Sequence, residues 1–276
     1  EHKDGDQPLF IHMAYYLIHT PLIPVPGMVE KYEEHGTRKA TYASMIEKMD
    51  ESIGKIMAGI DAAGLRDNTM VLFCSDNGAH SDISPQKPHR SGKGSYFEGG
   101  IREPLVVRWP GKVKPGISCD VPVCGIDFFP TFLDVAGVPV PEGKVLDGIS
   151  LVPLMIGSGS IPDRALFWHF PVYLQGYSGA KDDSHDPLFR TRPGSALRIG
   201  KWKFHEYFED GRLELYDLEK DPGERNNLAA SHPEKTAELH RKINEWRKEV
   251  NAPVPTQLNP KYDAAAEAAA IQRAKL

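Results

Sequence analysis

Residues 68–80 read NTMVLFCSDNGAH, and the fold turns on what the apolar half of that stretch becomes. Met70, Val71, Leu72, Phe73 and Cys74 form one short continuous apolar block with β-branched and aromatic members, and Gly78 follows soon after. Length and content predict a buried strand rather than a segment of helix. Upstream, Ala40 to Ala63 spaces Tyr42, Met45, Ile46, Met49, Ile53, Ile56, Met57 and Ile60 three or four apart and stops at Gly64. That is the pattern of an amphipathic helix with a glycine C-cap. Helix then buried strand is half of an α/β repeat, so Asp76 and Asn77 fall at a strand's carboxyl end, where open α/β sheets place ligands. Asp-Asn-Gly is equally good turn chemistry, since both side chains tolerate left-handed backbone and glycine adopts it freely. The motif alone leaves the two readings level.

A chain of 276 residues is long enough for a sizeable core, as one large domain or one and a half ordinary ones. Lys plus Arg is 33 and Asp plus Glu is 38, a net charge of −5, which gives no general electrostatic reason to expect nucleic acid or an anionic membrane. No apolar stretch reaches transmembrane length, and the opening EHKDGDQPLF has neither an initiator methionine nor a signal-peptide pattern. The expectation is a processed chain or an excerpt. Cys74, Cys119 and Cys124 are too few for a disulfide framework and match no zinc spacing. Cys74 is expected to pack as a small apolar residue in its strand, and spacing alone does not establish a bond between Cys119 and Cys124.

A second strand is expected over Leu9 to Ile18, apolar except for His12 and halted by His19-Thr20-Pro21 and the further prolines at 24 and 26. A third covers PLVVRW, Pro104 to Trp109, closed by Pro110-Gly111; FFPTFLDVA, from Phe128 to Ala136, reads as a short helix with Pro130 in its first turn. From about Leu151 the pattern changes: ALFWHF, SALRIGKWKFHEYF with a hairpin at Gly200-Lys201, and RLELYDL follow one another without intervening helices. That suggests a smaller antiparallel sheet appended to an α/β body. Leu239, Ile243, Trp246 and Val250 at helical spacing supply one helix to cover it, and a Pro-rich then Ala-rich tail follows Ala252. The expected partition is 1–155 for the α/β portion, 156–250 for the small subdomain and 251–276 for the tail.

The glycine-rich stretch HRSGKGSYFEGGIREPLVVRWPG, His89 to Gly111, leads into the third strand and puts Lys93 in a loop on the same sheet edge as Asp76. Between Gly92 and Gly94, Lys93 can approach an anion without crowding, although the stretch does not match a P-loop and a solvated loop lysine is the plainer reading. Taken together the motifs are more specific. Asp76 and Asn77 offer hard oxygen ligands suited to Ca²⁺ or Mg²⁺, and His19 and Lys93 offer a proton donor and cations for an anionic substrate.

The order H-T-P, then S-D-N-G, then K-G-x-x-x-E-G-G-I-R-x-P-L-x-V-R-W-P-G, then ELYDLEKDPGERNNLA resembles the sulfatase family, relatives of alkaline phosphatase, from Leu9 to about Trp246. LFWHFP, Leu166 to Pro171, is similar to bacterial polysaccharide and aryl sulfatases. The resemblance implies an alkaline-phosphatase-like α/β sheet with a smaller antiparallel α+β C-terminal subdomain. It implies that Asp76 and Asn77 ligate a divalent metal, usually Ca²⁺ with Mg²⁺ as the alternative, that Lys93 contacts a sulfate oxygen and the departing ester oxygen, and that His19 protonates the leaving group. It places His169 where relatives contact the sugar or aryl portion, against the plainer reading of a histidine packed beside Trp168 and Phe170. Trp168, His169, Tyr173 and Tyr177 either line a sugar cleft or pack the junction of two sheets. Glu98, Gly99, Gly100 and Arg102 read as structural, the glycines permitting a turn and the charged pair fixing loop geometry; His80 and His89 are given no catalytic role.

The family's nucleophile is a formylglycine made from a C/S-x-P/A-x-R motif, which none of Cys74, Cys119 or Cys124 begins. The family's paired metal-binding aspartates, second lysine and second histidine are expected upstream of Glu1. The expectation is therefore the C-terminal portion of a sulfatase, inactive alone, whose parent hydrolyses an aryl or carbohydrate sulfate outside the cytoplasm. Its partners would be a sulfated small molecule or glycan and the remaining N-terminal part of the catalytic domain, with no nucleic acid and no membrane span. The alternatives are a phosphate or phosphonate monoester hydrolase of the same superfamily and a non-catalytic module that binds sulfated ligands.

Overall fold

In the computed structural model, which describes residues 5, 7–80, 83–176, 186–257 and 259–274, the periodic stretch before Gly64 is a helix. The chain then runs, in order, α1 (Thr37–Ala62), β1 (Val71–Cys74), α2 (Glu98–Ile101), β2 (Leu105–Arg108), α3 (Phe128–Val135) and α4 (Val152–Met155). Strands follow: β3 (Leu166–Phe170), β4 (Leu174–Gly176), β5 (Phe189–Thr191), β6 (Gly194–Ile199), β7 (Trp202–Tyr207) and β8 (Leu213–Asp217), then α5 (Pro233–Glu249) and α6 (Ala264–Ala274). Two compact units result, Glu1–Phe73 with Leu105–Ile161, and Cys74–Pro104 with Pro162–Leu276.

In the first unit α1 stops where Gly64 turns left-handed at φ 72°. The Gly64 amide then donates to the Asp61 carbonyl and the Leu65 amide to the Ile60 carbonyl, each at 3.1 Å. This pair of bonds satisfies carbonyls the last turn would otherwise leave open. β1 and β2 pair as a two-stranded sheet, and Arg108 Nη2 of β2 reaches Asp61 Oδ1 of α1 at 2.9 Å. Pro130 sits in the first turn of α3, where a missing amide costs nothing. Asp127 is fully buried before it, accepting the Cys124 amide at 2.8 Å and the Ile149 amide at 3.1 Å.

Two expectations are corrected here. Leu9 to Ile18 forms no strand; Leu9, Phe10, Ile11, Met13 and Tyr16 are 57 to 72% exposed. β1 is half-buried rather than buried, and Cys74 is exposed instead of packed. The cause is common: a strand holds its shape by pairing its amides and carbonyls with a neighbour, and among the described residues β1 and β2 have only each other in this sheet.

The second unit is built on the antiparallel sheet β3-β6-β7-β8, with the predicted two-residue turn at Gly200-Lys201, where Gly200 has φ 52°. Side chains alternate across a strand, and this sheet divides its faces sharply. Leu197, Phe204 and Leu215 lie side by side in register and meet Leu239 and Ile243 of α5, all five fully buried. Phe167 stacks on Trp246 with ring centroids 4.6 Å apart. The opposite face carries Arg198, Lys203, His205, Tyr207, Glu214 and Tyr216, and it receives the glycine-rich segment around Lys93.

Candidate active site

The turn after β1 is fixed from beneath by backbone. The Ser75 amide points to the Pro104 carbonyl at 3.4 Å, and the Gly78 amide donates to the Gly100 carbonyl at 3.0 Å. A side chain at Gly78 would put its Cβ 2.0 Å from the Gly99 oxygen, so only glycine lets the turn lie on α2. Asp76 is exposed above that contact and Asn77 half-buried. The Asn77 amide nitrogen donates to the Gly78 carbonyl at 3.2 Å, which turns its Oδ1 away as a free acceptor among the described residues.

Lys93 comes to the same place. Its backbone amide donates to the Ala79 carbonyl at 3.0 Å, three residues after Asp76. Gly94, at φ 92°, carries the chain onward beneath Leu174 and Arg190. Two residues that sequence reasoning did not single out as functional join the group: Arg190 Nη2 lies 3.0 Å from His80 Nε2, and Arg190 Nη1 lies 3.5 Å from the Lys93 carbonyl. Arg190 follows a stretch with no family-like motif, so no sequence signal marks it. Beneath Asp76, burial together with the Asp76 charge pushes the Glu103 carboxyl up to about 7, against a hydrogen bond from Ser75 that lowers it. Burial and the same charge raise the Cys74 thiol.

The glycine-rich loop is anchored by charge on the polar face of the sheet. Glu98, 1% exposed, receives Lys203 Nζ on Oε1 and Arg198 Nη1 on Oε2, both at 2.9 Å. Burial alone would raise its carboxyl, but Lys203 and Arg198 outweigh that and hold it at about 2. Tyr96 reaches the carbonyls of Gly194 at 2.9 Å and Phe170 at 3.1 Å, and burial drives its phenol far above the ordinary range. Gly99 and Gly100 are packed so closely on the loop that a Cβ would lie 2.3 Å from the Arg90 oxygen and 2.4 Å from the Ser95 oxygen, respectively.

His19 is in the first unit, in an exposed turn with Nδ1 2.8 Å from the Thr20 carbonyl. His169 lies in β3 with both ring nitrogens at 2.8 Å from protein groups, Nδ1 from Ser195 Oγ and Nε2 from the Pro253 carbonyl. Burial lowers its pKa, and it packs against Phe208 and Trp246. Tyr173 packs on Phe189 at 4.9 Å; Tyr177 lies outside the described residues. The exposed carboxylate of Asp76 and the free Oδ1 of Asn77 fit a hard divalent cation in kind, but such an ion takes six to eight oxygens. Among the described residues no group of three or more His, Cys, Asp or Glu side chains is placed to hold a metal.

A model of the sulfatase family matches residues 1–138, and a model of the C-terminal region of N-sulphoglucosamine sulphohydrolase matches residues 92–249. The chain belongs to the sulfatase family. It is 31% identical to a sulfatase from Formosa agariphila, the match covering 92% of this chain and 48% of that one. It is 30% identical to human arylsulfatase A, covering 81% and 45%. Among solved structures it resembles Ps i-CgsB in complex with k-i-k-neocarrahexaose, with a TM-score of 0.75, 26% identity and coverage of 88% and 51%. It also resembles the phosphonate monoester hydrolase SpPMH from Silicibacter pomeroyi, with a TM-score of 0.59, 25% identity and coverage of 76% and 41%. The chain therefore spans about half the length of the curated relatives it matches. Its fold is the alkaline-phosphatase-like fold of sulfatases, a family with metal-dependent chemistry, and no helix among the described residues is long and apolar enough to cross a membrane.

Proposed function

We propose that this chain supplies the sulfate-holding edge of a sulfuric ester hydrolase, which converts an aryl or carbohydrate sulfate and water to an alcohol and sulfate. The observation that carries the reading is the hydrogen bond from the Lys93 amide to Ala79, which seats a lysine beside the Asp76-Asn77 turn on a family background. Asp76 and Asn77 would hold a divalent cation, Ca²⁺ or Mg²⁺, together with oxygens from outside this chain. That cation would supply charge stabilisation at the sulfate oxygens.

The roles of the chain's own side chains follow from charge. Lys93 as an ammonium offers donors to a sulfate oxygen and to the ester oxygen as negative charge builds there. His19, as an acid, would give the departing oxygen its proton, sparing expulsion of a bare alkoxide. Arg190, whose Nη1 and Nη2 lie near the Lys93 carbonyl and the His80 ring, adds positive potential on the same edge. The formylglycine nucleophile would lie outside this chain, as would the remaining N-terminal part of the catalytic domain. The exposed apolar side chains of Leu9, Phe10, Ile11 and Met13 suit burial against that part. In this reading 1–155 is catalytic-domain sequence, 156–250 the appended subdomain and 251–276 a tail, with Cys74–Pro104 packing on the subdomain's sheet. The substrate is a sulfated small molecule or glycan met outside the cytoplasm, and His169 faces its sugar or aryl portion only if it leaves Ser195 and Pro253.

The likeness to a phosphonate monoester hydrolase favours a second reading in which the same edge takes a phosphorus ester. Hydrolysis of p-nitrophenyl sulfate and p-nitrophenyl phosphate by the complete protein separates the two. Faster sulfate release that is lost in Asp76→Asn supports the first; a preference for the phosphorus ester overturns it; and tight binding of sulfated sugar without turnover leaves a binding module.

A further inference from the structure

Beyond β8, the stretch LYDLEKDPGERNNLA places one residue under the loop that carries Lys93. Glu224 is fully buried, and its backbone lies at φ 52°, a conformation that side-chain-bearing residues seldom adopt and keep only when their surroundings impose it. Four contacts impose it. Its Oε2 accepts the Glu98 backbone amide at 2.6 Å, its Oε1 lies 3.1 Å from His205 Nε2 and 4.0 Å from Lys203 Nζ, and its own carbonyl accepts Arg90 Nη1 at 3.0 Å.

Arg90 and Glu98 are the two feet of the loop, themselves joined by the Gly99 amide donating to the Arg90 carbonyl at 3.0 Å. Lys93 lies between them. Ser91 within the loop is also left-handed, at φ 62°, so the path between the feet is tightly determined. The carboxylate grips one foot and the carbonyl grips the other, and the same side chain is tied to β7 through His205 and Lys203.

We propose that Glu224 is a positioning residue for Lys93: it clamps both ends of the Arg90–Glu98 loop onto the antiparallel sheet and so fixes where the lysine meets the sulfate. The inference rests on the reading of Lys93 given under Proposed function. It assigns the small sheet a part in catalysis without contact with substrate, and gives the buried side-chain oxygens of Glu224 a role.

Two readouts test it. In hydrogen exchange on this chain, Glu224→Ala is expected to speed exchange at the amides of Ser91, Lys93 and Ser95 by about tenfold or more, with the amides of α5 unchanged. In the complete protein the same variant is expected to lower kcat for p-nitrophenyl sulfate by about 10- to 100-fold with KM within about threefold, since a displacement near 1 Å costs that much. Glu224→Gln, whose side-chain oxygen can still accept the Glu98 amide, is expected to recover most of both effects. If Glu224→Ala does not fold, Glu224→Asp, with its carboxylate withdrawn by one methylene, carries the same expectations. Unchanged loop exchange overturns the proposal, as does a loss of kcat equal in the Gln variant. A wild-type protein that releases no sulfate removes the sulfatase reading instead, and the exchange experiment still decides whether Glu224 holds the loop.

Discussion

Lys203→Met removes the cation at the centre of the buried network while keeping a side chain of similar length. Lys203 is fully buried, 2.9 Å from Glu98 Oε1 and 4.0 Å from Glu224 Oε1, with its ammonium 5.2 Å above the Trp168 ring. Breaking a buried pair from one side costs about 3–5 kcal/mol because the other charge stays behind. Glu98 would keep Arg198 at 2.9 Å and Arg102 at 3.9 Å, which argues for the low end. A carboxyl held at about 2 against an ordinary 4.5 corresponds to about 3 kcal/mol shared among all its partners. The expected loss is thus about 2–3 kcal/mol at pH 7, read as a shift of the urea midpoint at unchanged slope. The pH dependence has a definite sign. Because the folded pKa of Glu98 lies below the unfolded one, its stabilisation is present above 4.5 and is lost as pH falls from there through about 2. Without Lys203 the folded pKa rises, so the variant should lose that contribution at a higher pH. The double variant Glu98→Gln/Lys203→Met should not recover the loss, since it also takes the carboxylate from Arg198 and the ammonium from the buried Glu224. A Lys203→Met protein within about 0.5 kcal/mol of wild type at pH 7, with an unchanged acid limb, would refute the reasoning.

Other perturbations probe the same edge. Gly78→Ala must push aside a backbone oxygen 2.0 Å from the new Cβ, so a destabilisation of about 1–3 kcal/mol is expected by urea titration, and a neutral result would deny the close contact. Tyr96→Phe takes a hydroxyl from the Gly194 and Phe170 carbonyls and should cost about 1 kcal/mol in the same assay. Calcium added to this chain alone is expected to bind with Kd weaker than about 1 mM in calorimetry, because Asp76 and Asn77 offer too few oxygens; micromolar binding would show that the chain completes a site by itself.

Local signals in the sequence carried most of the fold. The three-four spacing before Gly64 became α1 to within a few residues, FFPTFLDVA became α3, and the succession of strands from ALFWHF to RLELYDL became the antiparallel sheet with its turn at Gly200-Lys201. Leu9 to Ile18 misled because an apolar run states only that a segment wants burial, whereas becoming a strand depends on a neighbour the run does not name. Cys74 misled for the same reason. At the candidate site, Asp76, Asn77 and Lys93 were legible because each sits in a short motif beside glycine. Arg190 and Glu224 were not, because they reach the loop across about 100 and 130 residues of sequence, through contacts that no local spacing encodes. The buried Lys203 and His205 were hidden too: in a strand reading WKFHEY they look like the solvated positions of an alternating pattern, and only the loop folded over that face makes them interior.

The most direct test of the central claim is the rate of sulfate release from p-nitrophenyl sulfate by the complete protein, compared among wild type, Asp76→Asn and Lys93→Ala. The account predicts measurable turnover in wild type and a fall of at least about 100-fold in each variant, with the fold of each confirmed by its urea midpoint. Turnover that survives both substitutions would contradict it, because the sulfate would then be held somewhere other than the edge where Lys93 meets the Asp76-Asn77 turn.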